Sequence, residues 1–198
     1  MKKIIALLSV VILLSACDRE KRILVMSKGK ADINTDAKTI KAGDGSGHEE
    51  KEVTLGGDKV VFKLNTPAGE ATVELLENGL YIVNVKNDTI IGSYVKYGDP
   101  KLSQNMVTQD NLKKQLDSLQ LLSEGKNVSE ANRNFFILPN KAVKISNNTQ
   151  SMIVGPYHRM TSAEKVDGKD PEVYRFYSIK EIREMIGKLQ VLTTPKKI

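Results

Sequence analysis

From residue 51 to residue 97 the chain interrupts itself every few residues with turn-forming clusters, and this spacing leaves room only for short strands. Val53-Thr54-Leu55 and Lys59-Val60-Val61-Phe62-Lys63-Leu64 flank Gly56-Gly57-Asp58. Asn65-Thr66-Pro67-Ala68-Gly69 ends the second run, and the stretch from Glu70 to Leu76 alternates about Ala71, Val73 and Leu75. Asn78-Gly79 is a strong hairpin signal, because both residues tolerate positive φ. Leu80-Tyr81-Ile82-Val83-Asn84-Val85 follows, then Asn87-Asp88, then a run from Thr89 to Val95. Branched and aromatic residues between Gly, Asn, Asp and Pro clusters describe strands. Successive strands joined by tight turns predict an antiparallel meander with one packed and one wet face.

The pattern then changes period. Leu112, Leu116, Leu119 and Leu122 form a helical stripe that Thr108 can cap and Gly125 can stop. Phe135-Phe136-Ile137-Leu138 and Ala142-Val143-Lys144-Ile145 predict a hairpin about Pro139-Asn140. Ser151 to Val154 and Glu172 to Tyr177 read as further strands. Ser178 and Glu181 then make a capping box ahead of a stripe of Ile179, Ile182, Ile186 and Leu189. Strands then helix, twice, without βαβ alternation, is an α+β layout. We expect an antiparallel sheet, an N-terminal β-meander, with two main amphipathic helices packed on it. Residues 51–198 form this single small domain.

Residues 1–50 read differently. Met1-Lys2-Lys3 precedes an apolar core from Ile4 to Leu14, the layout of a secretory signal peptide. That core is too short to span a bilayer, which takes about 20 apolar residues, and Asp18-Arg19-Glu20-Lys21-Arg22 blocks its extension. The expected divisions are a signal peptide at 1–16 and a polar tether at 17–50, with a loop in the glycine-rich stretch near 42–50. Within the tether, Ile23-Leu24-Val25-Met26 is one apolar run. If it is a strand, the tether shrinks to residues 18–22.

Leu14-Ser15-Ala16-Cys17 holds the only cysteine of the 198 residues and resembles the lipobox of bacterial lipoproteins. The resemblance covers residues 1–17 alone. It implies a diacylglyceryl thioether on Cys17, cleavage before it and acylation of the new amino terminus, palmitate being the usual chain class. Two or three chains give lasting membrane residence, since each buried CH₂ contributes about 0.8 kcal/mol and one chain holds only marginally. The expected location is therefore the cell envelope, facing the periplasm or the cell surface. Asp18 resembles the signal that retains some lipoproteins in an inner membrane.

A thioether at Cys17 leaves the mature chain without a thiol, which excludes intrachain disulfides, thiolate metal centres and cysteine nucleophiles. Loss of Lys2 and Lys3 lowers the formal charge from +6 to +4, spread along the chain in pairs such as Lys113-Lys114 and Lys196-Lys197. These are not the runs of basic residues that bind anionic head groups. Aromatics are sparse and tryptophan is absent, so no stacking platform for nucleic acid is expected.

Catalytic patterns are few. His48, in Gly47-His48-Glu49-Glu50, lacks the second histidine of a helical zinc motif. Asp32-Ile33-Asn34-Thr35-Asp36 opens like a calcium loop but has Ala37 and Gly43 where Gly and Glu belong. No serine has the flanking glycines of a nucleophile elbow. Tyr157-His158-Arg159, after Gly155-Pro156, is the candidate ligand site: a phenol, a titratable ring and a forked cation suited to phosphate or carboxylate. It also reads as an exposed strand edge. No catalytic residue, metal or cofactor is assigned. The sequence points to a lipid-anchored, non-enzymatic adaptor or assembly subunit whose partners are the membrane, through Cys17, and another envelope protein. The alternatives are a tethered binder of a small anion or glycan, or a hydrolase whose carboxylates converge only in the fold.

Overall fold

Ile23-Leu24-Val25-Met26 is apolar without alternation, and a strand of that kind is stable only where both its faces are covered. The computed structural model, which describes residues 20–95, 109–154, 165 and 168–193, places it at the centre of the fold. The described elements run β1 (Glu20–Lys28), β2 (Ala31–Asn34), β3 (Thr39–Ala42), β4 (His48–Gly56), β5 (Val60–Thr66), β6 (Gly69–Leu75), β7 (Gly79–Asn84) and β8 (Ile90–Val95). They continue with α1 (Gln109–Ser123), β9 (Asn134–Ile137), β10 (Lys141–Ser146), β11 (Met152–Val154), β12 (Val173–Ser178) and α2 (Ile179–Thr193).

The strands form three four-stranded sheets. The central one has the order β10-β7-β1-β4, the outer one β2-β3-β5-β6 and the third β11-β12-β8-β9. Strand β1 alternates its side chains between two cores. Ile23 and Val25 join Ile40, Phe62, Leu64 and Leu75 beneath the outer sheet. Leu24 and Met26 join Ile90, Ile137, Tyr174 and Phe176 over the third. Strand β7, buried along its whole length, divides in the same way, Tyr81 and Val83 against Leu80 and Ile82. Each fully buried side chain of this size contributes about 1.5–3 kcal/mol. The parallel β1–β7 pair, Lys21 opposite Gly79 through Met26 opposite Asn84, therefore sits where parallel pairs belong, covered on both sides.

A third cluster joins Ile91 of β8 to Leu122 of α1 and Ile182 of α2. Strong local signals mark both helices. Lys126 N–H donates to Leu121 O at 2.8 Å and Gly125 N–H to Leu122 O at 3.1 Å, with Gly125 at φ 69°, a Schellman end for α1. Ser178 N–H donates to Glu181 Oε2 at 2.7 Å and Glu181 N–H to Ser178 Oγ at 3.2 Å, the capping box of α2. The expected Thr108 cap lies outside the described residues.

The fold is α+β, with mixed sheets and two helices, and its strand pairing departs from a meander. Of the strands between 51 and 95 only β5 and β6 are consecutive ladder partners; β4, β7 and β8 pair with strands distant in sequence. The Asn78-Gly79 and Pro139-Asn140 turns each carry the chain from one sheet to another. A tight turn reverses the chain whether the next strand lies about 4.8 Å away in the ladder or about 10 Å away in the facing sheet. Turn chemistry does not distinguish the two.

The polar segment read as a tether is, from Glu20 on, part of the sheets. Lys21 is fully buried, and its ammonium donates to Gly57 O at 2.5 Å, Asp58 O at 3.1 Å and Asn78 Oδ1 at 3.4 Å. Strand β4, with Glu49-Glu50-Lys51-Glu52, pairs with the whole of β1 although its own sequence is polar, because it is an edge strand.

Candidate functional site

Cys17 and the Tyr157-His158-Arg159 trio lie outside the described residues. His48, the other residue weighed for a ligand role, has well-defined neighbours. It opens β4 opposite Lys28, at the end of the central sheet where β7 also finishes. Its Nε2 lies 2.5 Å from Glu50 Oε1 and its Nδ1 lies 2.6 Å from Lys86 Nζ. The carboxylate fixes the proton on Nε2, which leaves Nδ1 to accept from the lysine. Burial lowers the pKa of the Lys86 ammonium, while the negative charges of Glu181, Glu50 and Asp88 act to raise it. The third member of the trio is a lysine amine, which suits a structural pin rather than a set of anionic metal ligands. Among the described residues no group of three or more His, Cys, Asp or Glu side chains is arranged for a metal.

A second polar cluster surrounds Glu172. Its Oε1 accepts from Arg133 Nη2 and from Tyr174 OH, the latter at 2.8 Å. Its Oε2 accepts from Ser146 Oγ at 2.6 Å and from Ser151 Oγ. Arg133 also lies over the Tyr94 ring, 3.7 Å from its centroid, a cation–π contact. These donors come from the lead into β9, the end of β10, the lead into β11 and β12, so the carboxylate ties the central sheet to the third. Both its oxygens are doubly engaged. It holds structure rather than offering a free base.

One opening lies elsewhere, along the edge of β10. It has a volume of about 560 Å³ and is lined by Leu76, Tyr81, Glu130, Phe136, Val143 and Lys144, among others. Lys144 is paired with Glu77 across its mouth, and Lys144 holds the Glu77 carboxyl below the usual carboxylate range. Tyr81 OH donates to Glu77 O at 2.9 Å and accepts from Glu77 N–H at 3.2 Å, and burial raises its pKa. Its lining mixes apolar side chains with charged ones, of which Glu77 is paired with Lys144 and Glu74 with Lys59.

Sequence reasoning reached His48 through its unusual neighbours and missed Lys86, which follows β7. It missed Glu172 because the four donors on that residue are scattered between positions 133 and 174. The cleft had no motif to announce it, being made where separate sheets end. Compared with known proteins, the chain matches no family model, no curated protein and no solved structure.

Proposed function

We propose that this chain is a lipid-anchored cell-envelope lipoprotein that serves as a non-enzymatic adaptor or assembly subunit. Residues 1–16 act as the signal peptide, and Cys17 carries the lipid. The observation that best supports this reading is where the folded part begins. Strand β1 starts at Glu20 and enters the core at once, with Lys21 fully buried. Only Asp18 and Arg19 separate it from Cys17, and a fully extended chain covers at most about 3.5 Å per residue. The anchor therefore holds the domain within about 10 Å of the lipid head groups, through the strand shared by both main cores. Such a domain addresses its neighbours in the envelope from a fixed height. In this reading the helices pack on the third sheet, as the sequence leads one to expect, and complete a rigid body.

Two features favour a binding role over chemistry. The Glu172 carboxylate is saturated by protein donors, and the His48 trio satisfies itself. The test is expression of the full chain and of Cys17→Ser with labelled palmitate, followed by intact-mass analysis. The wild type should gain label and lose residues 1–16, and the variant should do neither. Unlabelled wild type with the mass of the bare polypeptide would refute the proposal.

A further inference from the structure

Two adjacent cations open β1, and the alternation of a strand sends them to opposite faces. The Lys21 ammonium donates to Gly57 O and Asp58 O in the β4–β5 turn and to Asn78 Oδ1 in the β6–β7 turn. The Arg22 guanidinium donates to Thr149 O at 3.0 Å and Ser151 O at 2.8 Å, between β10 and β11, and to Glu52 Oε2 at 2.7 Å. Three connections are thereby gathered round the start of β1. The strand register agrees, with Glu20 opposite Gly56, Lys21 opposite Gly79 and Ser146 opposite Leu80. These turns make a rim at the end of the central sheet nearest Cys17 in the chain.

The charges of this rim are answered from within it. Lys59 pairs with Glu74 at 2.8 Å, Lys144 with Glu77, and Arg22 with Glu52. Glu20 and Asp58 stand beside the buried Lys21. Among the described residues of the rim the cations do not outnumber the acids, in a chain of formal charge +6. Lys21 and Arg22 turn inward, whereas a cluster that binds anionic head groups must face them. Much of the rest is small or polar and uncharged, Gly56-Gly57 and Asn147-Asn148-Thr149-Gln150. Leu76, 58% exposed, stands in the β6–β7 turn, and Met152, 37% exposed, opens β11. Apolar tips among uncharged polar groups suit the boundary between head groups and acyl chains.

Distance decides what this rim meets. The three residue steps from Cys17 to Glu20 span at most about 10 Å, and the head-group layer of one leaflet itself occupies about 5–8 Å. What is left is thinner than a helix, about 10 Å across with its side chains. Another protein does not fit beneath this end of the domain. We infer that the rim is the membrane-facing surface and rests on phospholipid head groups, with Leu76 and Met152 directed to the acyl boundary and no requirement for anionic lipid. This inference rests on the lipoprotein reading and adds an orientation to it. The flanks and the opposite end of the central sheet, where His48 and Asn140 lie, are left for an envelope neighbour.

Lipidation blocks the thiol of Cys17, so a cysteine introduced elsewhere is the one thiol open to labelling. The lipidated chain, purified from membranes, carries an environment-sensitive fluorophore as Leu76→Cys, Gln150→Cys or Leu138→Cys. Leu138 is 48% exposed and just precedes the turn at Asn140, at the opposite end. Each is reconstituted in phosphatidylcholine vesicles, with and without phosphatidylglycerol, that contain a lipid bearing a nitroxide quencher on its head group. Loss of fluorescence is expected for labels at positions 76 and 150 and not at 138, alike in both compositions and at low and high salt. Unquenched rim labels, equal quenching at position 138, or quenching that needs phosphatidylglycerol would each overturn the inference. A chain that the palmitate assay shows to be unlipidated would refute the lipoprotein reading and this inference together; a lipidated chain with unquenched rim labels refutes the orientation alone.

Discussion

If β1 is the strand shared by two cores, two adjacent substitutions in it must act on different layers and add. Ile23 is fully buried and faces the outer sheet; Leu24 is 6% exposed and faces the third sheet. Ile23→Val removes one methyl group from the first core, a loss of about 1 kcal/mol, and Leu24→Ala opens a cavity in the second, a loss of about 3 kcal/mol. The two side chains point to opposite faces, so the double variant should lose about 4 kcal/mol, the sum to within about 0.5 kcal/mol. Urea unfolding of all three and of the wild type measures this, with unchanged slopes showing that the same surface is exposed. Val191→Ala, at a residue 76% exposed, is the control and should stay within about 0.5 kcal/mol of wild type. Losses at 23 and 24 no larger than the control would return this segment to a tether. Strong non-additivity would mean that the two cores are one.

Glu172→Gln replaces an acceptor of four hydrogen bonds with an amide that cannot serve all four. A loss of about 2–3 kcal/mol in thermal or urea unfolding is expected. Gly92→Ala would set a Cβ 2.1 Å from the Phe176 ring, so overpacking should cost about 1–3 kcal/mol; a melt equal to wild type would show that the ring is free to move. Burial lowers the pKa of Lys86 in the folded state, so the unfolded chain binds the proton more tightly and stability rises with pH through that window. Urea unfolding from neutral to alkaline pH should therefore show wild type gaining on Lys86→Met as pH rises, and a falling difference would contradict the burial of this ammonium.

What could be read from the sequence was local. Ser178 with Glu181 marked the start of α2, and Gly125 the end of α1, because caps are satisfied within a few residues of themselves. The runs at Val60 to Leu64 and Leu80 to Asn84 were readable as strands for the same reason. Their partners were not readable. Asn78-Gly79 bends the chain as a hairpin would, but Gly79 then lies against the Ser146 carbonyl on another strand, where an added Cβ would sit 2.3 Å from that oxygen. The polar composition of residues 42–52 hid the first half of β4, residues 48–52, whose second half was read at Val53-Thr54-Leu55; as an edge strand it needs no apolar period. The candidate cleft was illegible for a related reason, since its lining comes from the ends of three sheets, whose adjacency is a property of pairing.

The parallel β1–β7 pair also dictates an order of assembly. Residues 21–26 leave the ribosome early, yet their ladder partners are residues 79–84, and the central sheet is complete only when Ser146 has taken its place on β10. Pairing between distant segments is slow, on the order of milliseconds to seconds for sheet-dominated domains. Through that interval Leu24 and Met26 lack Ile90, Ile137, Tyr174 and Phe176, which cover them in the folded chain, and Ile23-Leu24-Val25-Met26 is the kind of segment that stacks with its own kind in other chains. Lys21-Arg22 before the run and Lys28 just beyond it place like charges beside the segment in every copy, so that unfinished chains repel one another. Once folded, the same Lys21 ammonium turns inward to the Gly57 and Asp58 carbonyls.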